Sequence, residues 1–543
     1  MSGIRLTKFG GMLPRERQEN LAKHMAVLAE NVDLSMHTLR PWREPIQVSV
    51  LAGSNLYKEA CCEIASPNCN TSIADTQINC GFLVATGIRD YPVIAKHADA
   101  CLGNWCRLGF PCDLQAPIAT SSAPASAAVI GIAAPQARSY VYRLVNKFGQ
   151  TSQPSYPSNL VTLDAQNAVT LTLPTIFPPE YCITDLEIYT SEAGLDLTGK
   201  RGAADWFSVG AVPVTTATFT DAYNELGDMM DSDDVEPPPD NLRDVQYWRS
   251  GQLAGLSGNH VVFCERNRFH SWCSSARHAI HDTPVALLTG SSYGFVATNG
   301  RPAVIDLNKD CNGGYCHRVN DGMSSDPHPI VAARSAAMHN DHGIWATKDG
   351  LLMIAPNGAT KLLSSKYFTQ DQWRALKPET MIGVVHDGVY FGFTDEIGFR
   401  LDLPDNTYHS DSDTELTTIR FSQGKPTALY RSFTDELYIQ FADGCYWWNE
   451  GVTFMPLRWH GAVFDLPGHT TMTAYKLVHD HANVTAKHWV DNELIDTEIV
   501  ANNQPKRLPS ATGLYWQVEL ETQGEVYEYH LATSVRDLSE GQA

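Results

Sequence analysis

Residues 342–450 repeat one pattern. One copy is Gly343-Ile344-Trp345-Ala346-Thr347, the turn Lys348-Asp349-Gly350, then Leu351-Leu352-Met353-Ile354 and a second turn at Asn357-Gly358. The next is Met381-Ile382-Gly383-Val384-Val385, the turn His386-Asp387-Gly388, then Val389-Tyr390-Phe391-Gly392-Phe393. A third runs Thr427-Ala428-Leu429-Tyr430, a turn through Thr434-Asp435, Leu437-Tyr438-Ile439-Gln440-Phe441, Asp443-Gly444 and Cys445-Tyr446-Trp447-Trp448. Asp-Gly and Asn-Gly between β-branched and aromatic residues signal tight hairpins, because such turns need a positive φ that glycine adopts without strain. Asp-Gly pairs at 349, 387 and 443 are spaced like propeller blades, whose unit is roughly 40–50 residues of four strands. Weaker copies lie at 253–265 and 292–307. The pattern predicts a β-propeller of about five blades over residues 237–458, with Gly350 and Gly388 at positive φ.

Working outward, residues 459–543 alternate as strands in Met472–Val478 and Tyr515–Leu520 and predict a C-terminal β-sandwich. Upstream, short strands such as Tyr140–Val145, Val169–Leu173, Asp185–Thr190 and Trp206–Val209 are separated by Pro and Gly. They predict an immunoglobulin- or fibronectin-like β module over residues 121–236. A low-complexity linker, Thr120 to Ala137, precedes it, and an acidic run from Asp228 to Glu236 with three prolines, Pro237 to Pro239, ends it.

The first 120 residues divide in two. Over 14–34, Leu21, Met25, Leu28 and Val32 recur at helical spacing behind Pro14, which predicts an N-terminal helix. An extended, cysteine-rich segment follows, from which strands can join the propeller, and residues 54–116 show no legible strands. The expected fold is therefore all-β, with the helix at residues 14–34 as its exception.

The chain carries 61 acidic against 40 basic side chains, a formal charge of −21. That argues against a groove gripping a nucleic-acid backbone, which is built from Lys and Arg. No stretch approaches the ~18 apolar residues of a membrane span, and Met1 to Lys8 has no apolar signal core, so synthesis and folding in a cytoplasm are expected. Thirteen cysteines is an odd count, and seven fall between Cys61 and Cys112. None shows the Cys-x-x-Cys spacing of zinc sites, which predicts mostly reduced, buried thiols and no bound metal.

Motifs that carry chemistry are sparse. Gly290-Ser291-Ser292-Tyr293-Gly294 matches the G-x-S-x-G of hydrolase elbows, but a strand rather than a helix follows, so a hairpin turn is expected. His479-x-His481, His278-x-x-His281 and His339-x-x-His342 lack a third ligand or a helical setting. There is no phosphate-binding loop, zinc-protease, EF-hand or sialidase-box motif. No catalytic, cofactor-binding or metal-binding residue is singled out.

Four groups of motifs in combination resemble the propeller-bearing tail nozzle proteins of short-tailed bacteriophages, virion structural proteins. They are Lys8-Phe9-Gly10-Gly11 with Pro14-Arg15, Ala29–Leu34 and Leu39-Arg40-Pro41; Tyr140 through Ser155 (YVYRLVNKFGQTSQPS); Pro238–Arg243 with Leu253–Asn259 and Phe269–Trp272; and Lys348–Leu351 with Phe368–Trp373. The resemblance implies a non-enzymatic, homohexameric nozzle at the end of the virion tail, assembled in the bacterial host cytoplasm. It would sit below portal-adaptor (head–tail connector) proteins and tail fibres could attach to it. Double-stranded genomic DNA would pass through on ejection without tight binding. A lumen rich in Asp and Glu is expected on that reading, with Asp228 to Glu236 as a contributor. The alternatives are a tail-associated glycosidase or depolymerase, marked by two facing carboxylates in a blade-top cleft, and a receptor- or fibre-anchoring propeller module, marked by an exposed aromatic patch.

Overall fold

The computed structural model describes residues 3–540 apart from 60–61, 77–80, 123–135, 164–167, 194–204, 222–226, 231–234, 249–250, 312–313, 322–325, 405–414 and 481. Strands dominate, and the chain divides into two compact units, Met1–Cys69 with Ile280–Ala543, and Asn70–Ala279.

In the first unit, four successive antiparallel meanders form four-stranded blades. They are Pro284–Thr289 to Gly314–Asp321, Ala337–His339 to Thr360–Leu362, Ile382–His386 to Leu416–Ile419, and Ala428–Arg431 to Gly444–Trp447. The first strands of consecutive blades lie side by side, the arrangement of a propeller. The second and third blades therefore have a neighbour on both faces, which is why Gly350–Ile354 and Val389–Phe393 are buried throughout instead of alternating. Phe295, Trp345 and Ile354 fill the core between the first two blades, and Phe391, Phe393, Ile439 and Trp448 that between the last two.

The fourth blade is completed from the far end of the sequence. Ile46–Ser49 pairs with Gly444–Trp447 as its outermost strand.

The three Asp-Gly pairs are not equivalent. His386 pairs with Val389, so Asp387 and Gly388 form a two-residue turn at φ 49° and 72°. Thr347 pairs with Gly350 and Phe441 with Gly444, so there the glycine opens the return strand. Gly350, expected at positive φ, has φ 159°. Space selects it: a β-carbon would lie 2.6 Å from Ser364 Oγ.

The helix expected over 14–34 does not form. That stretch holds a single 3-10 turn, Gln18–Asn20, and two strands, Ala26–Glu30 and Val32–Asp33. Ala26–Glu30 pairs antiparallel with Leu457–Gly461 and meets Thr418 in parallel through Glu30. Sheet partners about four hundred residues away in the chain outweigh the local helical preference. Asn31 then turns the chain at φ 56°, its amide accepting from Arg420 N–H (2.8 Å) and donating to Pro456 O (3.0 Å).

Residues 457–532, expected as a C-terminal sandwich, are strands of one continuous sheet, not two separate sheets facing each other. Two long strands, Phe464–His479 and Lys506–Thr522, pair with register shifts, and Lys506–Thr522 also pairs with Leu457–Gly461 and Val484–Val490. Tyr475 on the first of these meets His488 on Val484–Val490 at 4.4 Å between ring centres and donates to Glu498 (2.8 Å). N-terminal strands Gly3–Leu6 and Ala26–Glu30 complete this sheet, so residues 1–120 do not stand apart as a domain.

In the second unit, the cysteine-rich block proves to be a blade. Ser72–Asp75, Phe82–Thr86, Val93–Lys96 and Cys106–Arg107 form a four-stranded sheet beside a second, Arg243–Trp248 to Arg277–Ala279. Val84, Ile94, Val245, Leu253, Val262 and Trp272 share their core. Between these blades in sequence lies a module of two facing sheets, one of three strands (Ile118–Ser122, Ala168–Thr172, Thr218–Asp221) and one of four (Val161–Leu163, Gln136–Asn146, Ile183–Ala193, Trp206–Pro213). Leu171 from one sheet and Tyr140, Tyr142, Leu144 and Ile188 from the other fill the space between. Most of the linker expected at 120–137 lies outside the described residues.

The expectation of mostly reduced, buried thiols needs correction. Cys106 and Cys182 form a disulfide across 76 residues, and Cys62 and Cys101 are each in a disulfide too. An odd count forbids complete pairing, not partial pairing. Cys264 and Cys445 are free and buried, whereas Cys112 is free and exposed.

Candidate functional site

The motifs weighed for catalysis fall into structural roles. Gly290–Gly294 is a hairpin turn between Pro284–Thr289 and Tyr293–Thr298, as its flanking strands imply. Asp341 caps it, accepting from Ser291 N–H (2.8 Å) and Ser291 Oγ (2.7 Å). His339 and His342 pair across another hairpin. His479 is buried, and His481 lies outside the described residues. Among the described residues no cluster of three or more His, Cys, Asp or Glu could hold a metal, and no helix is long and apolar enough to cross a membrane. In the acidic run, residues 231–234 lie outside the described set. Glu236 is held by Ser274, which donates from N–H (2.8 Å) and Oγ (2.9 Å).

The arrangement best suited to a ligand lies between the third and fourth blades of the first unit, and sequence reasoning missed it. It is a cavity of about 230 Å³ at the end where the Asp387 and Asp435 turns meet. Val389, Phe391, Leu437 and Trp448 line its buried side. Three polar rim residues, Asp387, Asp435 and Asn449, have left-handed φ of 49°, 66° and 58°. Asp and Asn tolerate this conformation better than other side chains. Asn449 accepts from Arg43 N–H (2.8 Å) and Trp42 O accepts from Met455 N–H (2.7 Å), which fixes the segment before the closing strand.

Trp42 forms one wall. Its ring lies 5.7 Å from Trp448, and the Arg400 guanidinium sits 5.4 Å from its centre. Its Nε1–H is buried with no acceptor, a cost of about 1–3 kcal/mol if left unmet. The cleft's charges are largely answered from within the protein. Arg400 bonds Asp402 (3.1 Å); Asp435 accepts from Arg431 (2.5 Å), which holds its carboxyl below the usual range; Glu436 accepts from Tyr438 (2.9 Å) and Thr434 (3.0 Å). His386 Nδ1 lies 3.4 Å from Asp435. The lining contains no Ser, Thr or Cys nucleophile. A warning lay in the sequence: Trp42, Trp447 and Trp448 cluster only once the N-terminal strand pairs with the last meander.

Behind Arg400 stands a carboxyl pair. Burial, reinforced by the charge of Asp402, pushes Glu415 up to about 7, and burial also raises Asp402. Neither lines the cleft. A larger cavity of about 410 Å³ lies between Met12, Leu28 and residues 393–398 and 418–425. Ion pairs join its charged residues Lys425 to Asp395 (2.6 Å) and Arg420 to Glu30 (3.4 Å).

No protein-family model and no curated protein matches this chain. Among solved structures it is similar to the WD40 domain of Neurospora crassa Pan2, at 11% identity and TM-score 0.27, covering 50% of this chain and 87% of that one. It is also similar to the β-propeller domain of Myceliophteria thermophila Cps50 (Swd1), at 11% and 0.24, covering 51% and 89%. Streptogramin B lyase follows at 8% and 0.25, covering 52% and 89%.

Proposed function

We propose that this chain is a structural protein of a short bacteriophage tail, the nozzle through which the genome leaves, acting as a homohexamer beneath portal-adaptor proteins. The observation that carries the proposal is the combination of four motif groups resembling that family, spread over most of the chain. Their residues in this structure are engaged in holding the fold. Phe9 packs edge-on against Trp459 at 5.1 Å, and Gly10 O accepts from its indole (3.2 Å). In the second group, Ser152 and Ser155 accept from the backbone N–H groups of Leu144 (2.9 Å) and Tyr142 (3.1 Å). In the third, Asp240 bonds Arg107 (2.6 Å). In the fourth, Thr369 and Gln372 form a capping box, and Trp373 donates to Thr347 O (2.9 Å). A motif used for joints rather than for a reactive centre suits a tail component.

The charge of −21 fits a conduit. Each Lys or Arg that grips phosphate adds affinity that must be undone as DNA moves, whereas acidic walls repel it. Light scattering of the chain mixed with its portal-adaptor partner tests the reading. A closed hexamer is expected, and monomer alone under those conditions refutes it.

A further inference from the structure

We propose that Glu415, Asp402 and Arg400 form a pH-sensitive latch on the Trp42 wall of the cleft: when Glu415 loses its proton, Arg400 turns from the indole to the two carboxylates. The inference does not depend on the nozzle reading. Strand register sets the geometry. In the third blade, Arg400 on Gly398–Asp402 pairs with Thr417 on Leu416–Ile419. Two residues on, Asp402 N–H donates to Glu415 O (3.1 Å) and Glu415 N–H donates to the Asp402 carboxylate (3.3 Å). Arg400 and Asp402 therefore share a face of their strand, because side chains alternate. Glu415 stands opposite Asp402 and diagonal to Arg400, within reach of a long side chain. The Arg400 guanidinium bonds Asp402 (3.1 Å) and lies 5.4 Å from the centre of the Trp42 ring, so one group serves both the carboxyl pair and the wall.

Charge counting gives the direction. Among the described residues, the charges that act on Glu415 are Asp402, Arg400, Lys366 from the turn Leu363–Lys366, and Asp33 from Val32–Asp33. Two carboxylates and two cations balance there while Glu415 is neutral. Ionising Glu415 leaves one negative charge unanswered in a partly buried place, which is costly. Burial and the charge of Asp402 therefore hold its proton on up to about 7. A guanidinium carries five N–H donors in a planar fork. Once both carboxyls are charged, charge-assisted hydrogen bonds to the pair outweigh the contact with the indole face. Trp42 keeps its packing on Trp448 and its backbone bonds to Asn31 O (3.2 Å) and from Met455 N–H (2.7 Å). The latch thus loosens the wall above neutrality without releasing the segment that closes the fourth blade.

The test places 5-fluorotryptophan at position 42 alone in the full chain. Its fluorine resonance is followed across about pH 5.5–8.5, a window that holds the Glu415 transition and excludes ordinary carboxylates. The resonance should titrate once in the parent, with a midpoint of about 7, and keep its low-pH position throughout in Glu415→Gln. Asp402→Asn is the second variant, in case Glu415→Gln does not fold; without the neighbouring charge its midpoint should move to lower pH. His386 lines the same cleft and stands 3.4 Å from Asp435, so His386→Gln is the control and should titrate as the parent does. A parent resonance that does not move overturns the proposal. So does a transition that survives in Glu415→Gln, a midpoint unchanged in Asp402→Asn, or a transition lost in His386→Gln.

Discussion

Gly444 lies so close to Ser49 that a β-carbon on it would sit 2.2 Å from the Ser49 carbonyl oxygen. The contact records how the N-terminal strand Ile46–Ser49 closes the last blade: the glycine clears room for a backbone arriving from the other end of the chain. Gly444→Ala must therefore push that strand away and should cost about 1–3 kcal/mol. Gly468, with open space around it, is the control, and Gly468→Ala should stay within ~0.5 kcal/mol. Thermal denaturation of both variants decides. Equal stabilities would mean the strand does not close the blade.

Gly388 and Gly350 follow similar Asp residues yet are required for different reasons. Gly388 has φ 72° and nothing within reach of a β-carbon. Gly388→Val should cost at least ~1 kcal/mol through backbone strain, and Gly388→Asn much less, because asparagine tolerates that φ. At Gly350 the obstacle is Ser364 Oγ, which accepts from Leu351 N–H (2.9 Å). Asn and Val should be comparably harmful there. A Gly350→Asn variant as stable as the parent, measured by urea denaturation, would contradict this account.

The Cys106–Cys182 bond ties the first blade of the second unit to the two-sheet module. Beside it, the Arg107 guanidinium lies between Tyr91 and Tyr181, at 4.7 and 5.0 Å from the ring centres. Cys182 itself is left-handed, at φ 53°, a conformation that costs a non-glycine residue roughly 1–2 kcal/mol. The Cys106→Ser, Cys182→Ser double variant should lose about 2–4 kcal/mol, seen as a lower Tm under oxidising conditions. Peptide mapping without reductant should recover the two cysteines linked. Recovery of both as free, alkylated thiols would show that the bond does not form.

His270 is 5% exposed and packs edge-on against Phe110 at 5.8 Å. Burial, with Arg268 and Arg143 adding to it, lowers its pKa to about 4. The unfolded chain takes up that proton near pH 6.5, while the folded chain resists it. The histidine's contribution to stability is therefore complete above about pH 6.5 and is lost as the pH falls towards 4. Glu415, raised to about 7, has the opposite sign, so the readout is the difference between parent and His270→Phe. The parent should lose more stability than the variant between pH 7 and 4.5; parallel pH profiles would contradict the assignment.

What the sequence revealed and what it hid follow from contact distance. The meanders were legible because each strand pairs with its neighbour across a turn of characteristic residues, as at Asp387-Gly388. The segment 14–34 was misread because Leu21, Met25, Leu28 and Val32 mimic a helical face. Leu28 lies instead on a strand paired with Leu457–Gly461, which no local window contains. The blade at 72–107 was hidden because its last strand, Cys106–Arg107, is two residues long and Val93–Lys96 only four. The cleft was invisible for the same reason as the N-terminal strand, since Trp42 reaches Trp448 only after that strand pairs.

The central claim is that copies of this chain surround a passage for DNA. The most direct measurement is a single-particle electron microscopy map of the chain assembled with its portal-adaptor partner. The account predicts a closed hexameric ring with an open axial channel walled mainly by Asp and Glu, and with Lys and Arg on outer faces or at subunit contacts. A particle with no axial channel, or a channel lined by Lys and Arg in position to grip phosphate, would contradict it.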